Sequence, residues 1–203
     1  MYVRDARNRE EVWLLDHIEA MGLDERAFRS RDYVIAIDEE SGQKAGFGRI
    51  RIHSGSDGED VCELTSLGVL EGWRRQGVGA HVIERLVEYA GDQGFETLYA
   101  LVPIPDYFAQ FGFEPIDDAE LPGTLRPRLA EKRDRHDAAV VPMRLEADDF
   151  EMPERLRERF KRAGEMPPQE SEEPADPGTT AAEEFGIDPE ETTYKYDPSG
   201  RRR

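Results

Sequence analysis

The chain has 203 residues, with Asp+Glu 45 against Lys+Arg 27, a formal net charge of -18 and one cysteine. A field of that sign repels polyanions, which excludes general affinity for nucleic acid or for an anionic membrane surface. The single cysteine excludes an intrachain disulfide and fits a reducing compartment. No run approaches the ~18 apolar residues of a membrane helix, and the opening "MYVRDARNRE" lacks the apolar segment of a signal peptide; a soluble, cytoplasmic protein is expected.

A hydrophobic fraction of 37% and a mean hydropathy of -0.74 are low for a globule, so part of the chain is expected to stay outside the core. Lysine occurs only at Lys44, Lys132, Lys161 and Lys195, and the other basic residues are arginine. An acid-rich, lysine-poor surface is similar to that of salt-adapted proteins, where high salt screens the self-repulsion, and a halophilic source is expected.

In chain order, a short strand is predicted at Met1 to Arg4. A helix follows, capped by Asn8 with Glu11, with Leu14, Leu15, Ile18 and Met21 on one stripe and an end near Gly22. "DYVIAID" (Asp32 to Asp38) and "AGFGRIRIH" (Ala45 to His53) read as a hairpin turning at Gly42, and "VCELTSLGVL" (Val61 to Leu70) follows the polar loop Ser54 to Asp60 as another strand. From Val78, residues Val82, Ile83, Leu86, Val87 and Ala90 recur at helical spacing until Gly91, and "TLYALV" (Thr97 to Val102) resumes a strand. A strand, helix, strand unit of this length implies parallel pairing and a right-handed crossover.

Downstream, "PDYFAQFGFEPI" predicts a short helix from Pro105 to Phe111, a Gly112 cap and a strand near Phe113 to Ile116. "LPGTLRPRLAEKRD" can form a helix, and "AAVVPMRL" (Ala138 to Leu145) reads as the last strand, at an edge or bulge because of Pro142. "MPERLRERFKRA" can form one more helix, and beyond Gly164 the Pro- and Glu-rich sequence predicts a disordered acidic tail, in which "EEFGIDPEETTYKYDP" is an aromatic island able to dock on the body or a partner. The expected organisation is thus an α/β domain with a mixed sheet over residues 1–147, a C-terminal helix over 148–163 and a tail over 164–203.

The stretch "WRRQGVGAHV" (Trp73 to Val82) joins the strand at Leu70 to the helix at Val78 through two arginines and two glycines. A helix entered this way leaves several N–H groups unpaired and aimed at one point, where the dipole also favours negative charge. Gly77 and Gly79 would allow close approach of a ligand, and Arg74 and Arg75 would bring charge to a diphosphate. A P-loop needs GK before Ser or Thr, which Gly79-Ala80-His81 does not supply, and a Rossmann fingerprint needs a third glycine where Val82 stands.

With Arg74, Gly77 and Gly79 the bend resembles the (Q/R)xxGx(G/A) motif of the GNAT family of N-acetyltransferases, and the resemblance continues upstream through "ELTSLGVLEGW" and downstream to "YFAQFGFEP", similar to that family's aromatic-xxx-GF(E) element. The resemblance implies a GNAT-like central twisted mixed sheet flanked by helices. It further implies acetyl-CoA as cosubstrate, its pyrophosphate on the amides of Gln76, Gly77, Val78, Gly79 and Ala80 and its pantetheine arm on the strand backbone at Leu67, Gly68 and Val69, with Phe108 beside the cofactor.

The implied activity is acetyl transfer to a primary amine of a small molecule or amino acid. A protein N-terminus or lysine is the second acceptor class, and a non-catalytic acetyl-CoA-binding regulatory module the third reading. An alkylamine of pKa about 10 is only about 0.1% neutral at pH 7, so a base is useful, and Glu63, eleven positions before Arg74, is similar in placement to the base glutamate of the family's histone acetyltransferases. The family's acid tyrosine would fall at Phe108, and the tyrosine stands one place earlier, at Tyr107. Phenylalanine there, with Leu121-Pro122 following, is similar to acetyltransferase domains acting on amino acids. Cys62 reads as a small core residue, and His17, His53, His81 and His136 lack metal spacing, so no metal is expected. A homodimer, and a protein partner held by the tail, are compatible with this reading.

Overall fold

Seven strands form one sheet in the order β1-β2-β3-β4-β5-β7-β6. They are β1 (Tyr2–Asp5), β2 (Tyr33–Ile37), β3 (Lys44–Ser54), β4 (Asp60–Val69), β5 (Thr97–Val102), β6 (Glu114–Pro115) and β7 (Val141–Glu146). The helices are α1 (Glu11–Ala20), α2 (Val78–Asp92), α3 (Pro105–Ala109), α4 (Arg126–Arg135) and α5 (Glu154–Lys161). The computed structural model describes residues 1–23, 26–55, 58–135 and 139–164. The tail, its aromatic island and His136 lie outside the described residues.

Side-chain alternation along the strands separates two faces. Val34, Ala36, Ala45, Ile50, Cys62, Leu64, Leu98 and Ala100 join the main core beneath α2, whose Val82, Ile83 and Leu86 are fully buried; each such side chain contributes about 2 kcal/mol. Gly48 makes this packing possible, since a Cβ there would lie 2.9 Å from side-chain atoms of both Val82 and Leu86. On the other face Phe47, Tyr33 and Ile35 pack with Leu14 and Ile18 of α1, and Leu101 packs with Leu129 of α4.

All neighbours run antiparallel except β4 and β5, the pair joined by α2. That is the mixed sheet the spacing predicts. Three local expectations are corrected. Glu10, not Asn8 with Glu11, organises the first turn, its carboxylate accepting from the Arg7 N–H at 2.8 Å and from Arg4. Helix α2 runs through Gly91 to Asp92 and turns at Gly94, whose φ is +86. Strand β7 is not at the edge: Pro142 faces Leu101 on β5, and the two-residue β6 closes the other side.

Candidate active site

Strands β4 and β5 pair only from Cys62↔Leu98 to Leu64↔Ala100 and then separate. A bulge drives the separation: Ser66 adopts φ 50, and the β3–β4 register slips between Phe47 and Arg49. Beyond it, β4 stays paired to β3 through Phe47↔Gly68 and Gly46↔Val69, so its other edge, Leu67 to Val69, faces the gap without a strand partner. The gap widens into a cavity of about 520 Å³ lined by Leu64, Thr65, Ser66 and Leu67 of β4, by Leu101 to Ile104, by Phe108 of α3, and by Arg128, Glu131, Lys132 and Arg135 of α4. A larger hollow, about 930 Å³, lies at the opposite end of these strands, and among the described residues Glu59, Asp60 and Glu96 line it while no Lys, Arg or His does.

The bend into α2 sits beside the far end of β4. Gln76 to Ala80 are all buried, whereas Arg74 and Arg75 are exposed at its mouth. None of the amides of Gln76 to Ala80 donates to a turn or loop carbonyl among the described residues; the first such bond is His81 N–H to Gly77 O at 3.2 Å. A helix leaves its first N–H groups without internal acceptors, so these are donors turned to one point. Such a set suits a diphosphate. Arg74 also reaches back, its Nε 3.4 Å from the Val69 carbonyl.

The reason for the glycines needs correction. At Gly77, φ +79, the Cβ position lies 2.4 Å from the Leu156 carbonyl and 3.0 Å from the Phe160 nitrogen, so the close approach it permits is that of α5. At Gly79 the Cβ position lies 2.8 Å from the Tyr107 hydroxyl. Helix α5 closes the outer side of the bend: Phe160 stacks on His81 with centroids 3.8 Å apart, Arg157 meets Glu84 at 2.7 Å, and the Gly164 N–H donates to the Gln76 Oε1 at 3.0 Å.

Glu63 lies on the face turned to α4 and is fully buried. Its carboxylate stands 2.8 Å from His53 Nε2, 2.7 Å from Arg128 Nε and 3.2 Å from Lys132 Nζ. Burial would raise its pKa, but the His53 hydrogen bond and the charges of Lys132 and Arg128 outweigh that and bring it down to about 2. A sealed carboxylate so strongly anionic takes no proton at neutral pH. The geometry therefore does not support Glu63 as the base; it anchors Arg128 and Lys132 instead.

Tyr107 and Phe108 point apart. Phe108 is buried and forms cavity wall, while the Tyr107 hydroxyl is at Gly79, where the end of β4 at Val69 also lies, and Tyr107 does not line the cavity. Burial raises the Tyr107 pKa to about 12, which makes it a poor proton donor to a thiolate of pKa about 8.5. Cys62 is a buried core residue, as expected, with its thiol pushed up to about 12 by burial and by Glu63. No group of three His, Cys, Asp or Glu suited to a metal occurs among the described residues, and no helix of theirs is long and apolar enough to cross a membrane.

Sequence reasoning missed His53 and the cations of α4. The available signal was the spacing of Arg128, Lys132 and Arg135, which puts three cations on one helix face in an acidic chain.

The chain matches the model of the acetyltransferase (GNAT) family over residues 2–113. Similar solved structures include Rv2747 from Mycobacterium tuberculosis in complex with CoA, at 15% identity and TM-score 0.58, over 72% of this chain and 99% of that one. N-acetylglutamate synthase from Neisseria gonorrhoeae, complexed with coenzyme A and N-acetyl-glutamate, matches at 19% identity and TM-score 0.55 over 71% of this chain; the match spans only 34% of that enzyme. The NatC complex bound to Gag peptide and CoA contains a chain matched at 11% identity and TM-score 0.50, over 72% of this chain and 99% of that one.

Proposed function

The chain belongs to the acetyltransferase (GNAT) family, and from that premise we propose that it moves acetyl from acetyl-CoA to the primary amine of a small molecule or amino acid held in the β4–β5 cavity. The observation that carries this reading is the parting of β4 from β5 after Leu64 and Ala100, which leaves a strand edge and a cavity between them. Acetyl-CoA, when bound, supplies its acetyl group as a thioester open to attack by a neutral amine. The unpaired main-chain edge Leu67–Val69 would hold the pantetheine arm, and the amides of Gln76, Gly77, Val78, Gly79 and Ala80, with Arg74 and Arg75, would hold the phosphates. Phe108 and the apolar lining exclude water from the reacting end.

Neither carboxylate near the cavity floor is a free base: Glu63 is held by three partners, and Glu131 is engaged by Arg26 and Arg135. The amine then loses its proton to water. The expected pH profile of kcat/KM for the acceptor rises about tenfold per unit up to the amine's own pKa of about 10. An enzyme inflection between pH 5 and 8 that disappears in Glu63→Gln would restore Glu63 as base.

Tyr107→Phe is expected to change kcat less than about threefold while raising KM for acetyl-CoA, because the hydroxyl sits at the phosphate bend. A loss of kcat above a hundredfold with KM unchanged would make Tyr107 the general acid after all. The reading itself is tested by thiol release from acetyl-CoA against a panel of amines and amino acids, with calorimetry of coenzyme A binding. No binding at millimolar coenzyme A would end it.

A further inference from the structure

One face of the cavity is basic in a protein whose net charge is -18. Arg128, Lys132 and Arg135 stand at i, i+4 and i+7 on α4, and all three line the cavity. Arg26 joins from beyond it through Glu131. Among the described residues these four cations form ion pairs with two carboxylates, Glu63 beneath the floor and Glu131 on the wall. The remaining lining is largely apolar, with Leu64, Leu101, Val102 and Phe108 among it.

Position sharpens the point. Lys132 Nζ bridges the two separating strands, 3.1 Å from the Leu101 carbonyl and 3.4 Å from the Thr65 hydroxyl. Of the three cations that line the cavity, Arg135 is the nearest to solvent, with 49% of its side chain exposed, and it rests on Glu131 at 2.7 Å. The apolar walls lower the effective dielectric, so this excess positive charge acts strongly on anything inside.

We propose that the amine acceptor carries a carboxylate, and that Arg128, Lys132 and Arg135 select it. This rests on the acetyl-transfer reading above and narrows its substrate class to amino acids and other anionic amines, in place of basic peptides or simple alkylamines. The carboxylate lies toward α4 while the amine reaches the strand gap. A cationic acceptor, by contrast, would have to leave water for a cavity of its own sign. Arg128 and Lys132 are held in place by Glu63, which makes Glu63 a positioning residue for acceptor binding.

The test compares acceptors that differ by one carboxylate. With the full chain and acetyl-CoA, leucine is set against 3-methylbutylamine and glutamate against 4-aminobutyrate, with an N-terminally free basic peptide as a third arm. Compared per neutral amine, because the members of a pair differ in amine pKa, leucine is expected to show a kcat/KM at least about tenfold above 3-methylbutylamine. Glutamate and 4-aminobutyrate, both carboxylated, are both expected to be used. Arg135→Gln should raise KM for the carboxylated acceptor by about tenfold and leave KM for acetyl-CoA unchanged, with Arg135→Lys recovering part of the loss. An unchanged Tm would show that neither variant is misfolded.

Turnover that is equal or better with alkylamines or the basic peptide overturns this inference and leaves the acetyl-transfer reading standing. If no acceptor releases thiol, that reading falls, and calorimetry of leucine and glutamate with the coenzyme A-bound protein still decides the inference. Binding weakened by Arg135→Gln supports it; no binding, or binding indifferent to Arg135, removes it.

Discussion

Gly77→Ala is expected to lower Tm by about 5–10 °C and to loosen α5 from the bend. The new methyl would sit 2.4 Å from the Leu156 carbonyl and 3.0 Å from the Phe160 nitrogen, and both are backbone atoms that no rotamer change can move. The position also has φ +79, which costs a non-glycine residue about 1–3 kcal/mol by itself. Relief requires α5 to shift, which gives up burial of Leu156 and Phe160, now 6% and 8% exposed, at up to about 2 kcal/mol each.

The total is on the order of 3 kcal/mol, and a body of this size converts each kcal/mol into about 2–4 °C. Gly42→Ala is the control, because Gly42 has φ +68 but nothing within 4 Å of its Cβ position. Thermal unfolding of the two variants isolates the helix contact. If both lose the same amount, α5 does not hold the bend in the way described.

Glu63→Gln is expected to cost about 3–5 kcal/mol, a fall in Tm on the order of 10 °C. Glutamine preserves the shape but keeps only one acceptor oxygen and turns the other position into an N–H₂ donor, so the variant removes the charge and part of the acceptor set facing Arg128 and Lys132. What remains is Arg128, buried, and Lys132, mostly buried, with their shared counter-ion gone. Breaking a buried ion pair is costly for that reason, whatever the pair contributes net.

The pH dependence has a definite sign. The folded pKa of Glu63, about 2, lies below its ordinary 4.5. Its contribution of about 3 kcal/mol is therefore complete above pH ~4.5 and is lost as pH falls from there toward about 2. Wild-type stability should decline in that window, and Glu63→Gln should lack that part of the decline. A variant with unchanged Tm whose kcat falls more than a hundredfold would instead mark Glu63 as a catalytic base.

Most of the fold was legible because it rests on local periodicity. The short β-branched and apolar runs of β2 and β3, the stripe of α2 and the glycine turns each report their own geometry within a dozen residues. The bend from Arg74 to Ala80 was legible for a related reason, since helix starts and glycine spacing are local features that oblige N–H groups to stand unpaired. Pro142 misled because its place in the sheet depends on whether β6 pairs beyond it, a contact between segments far apart in the chain.

Glu63 shows where local reading stops. Strand alternation sets Glu63 on the face opposite Cys62, but its protonation depends on His53 ten residues before and on Arg128 and Lys132 more than sixty residues after. The same holds at Gly77. The sequence by itself determined the strand and helix order, the parallel crossover and the donor-rich bend, because each is written in the spacing of neighbouring residues. Only the tertiary structure decided that Gly77 makes room for α5, that Glu63 is held as an anion by His53, Arg128 and Lys132, and that three cations of α4 line the cavity. Those outcomes are set by which distant side chains share a low-dielectric space, and the interaction of charges falls with distance in space, not with separation along the chain.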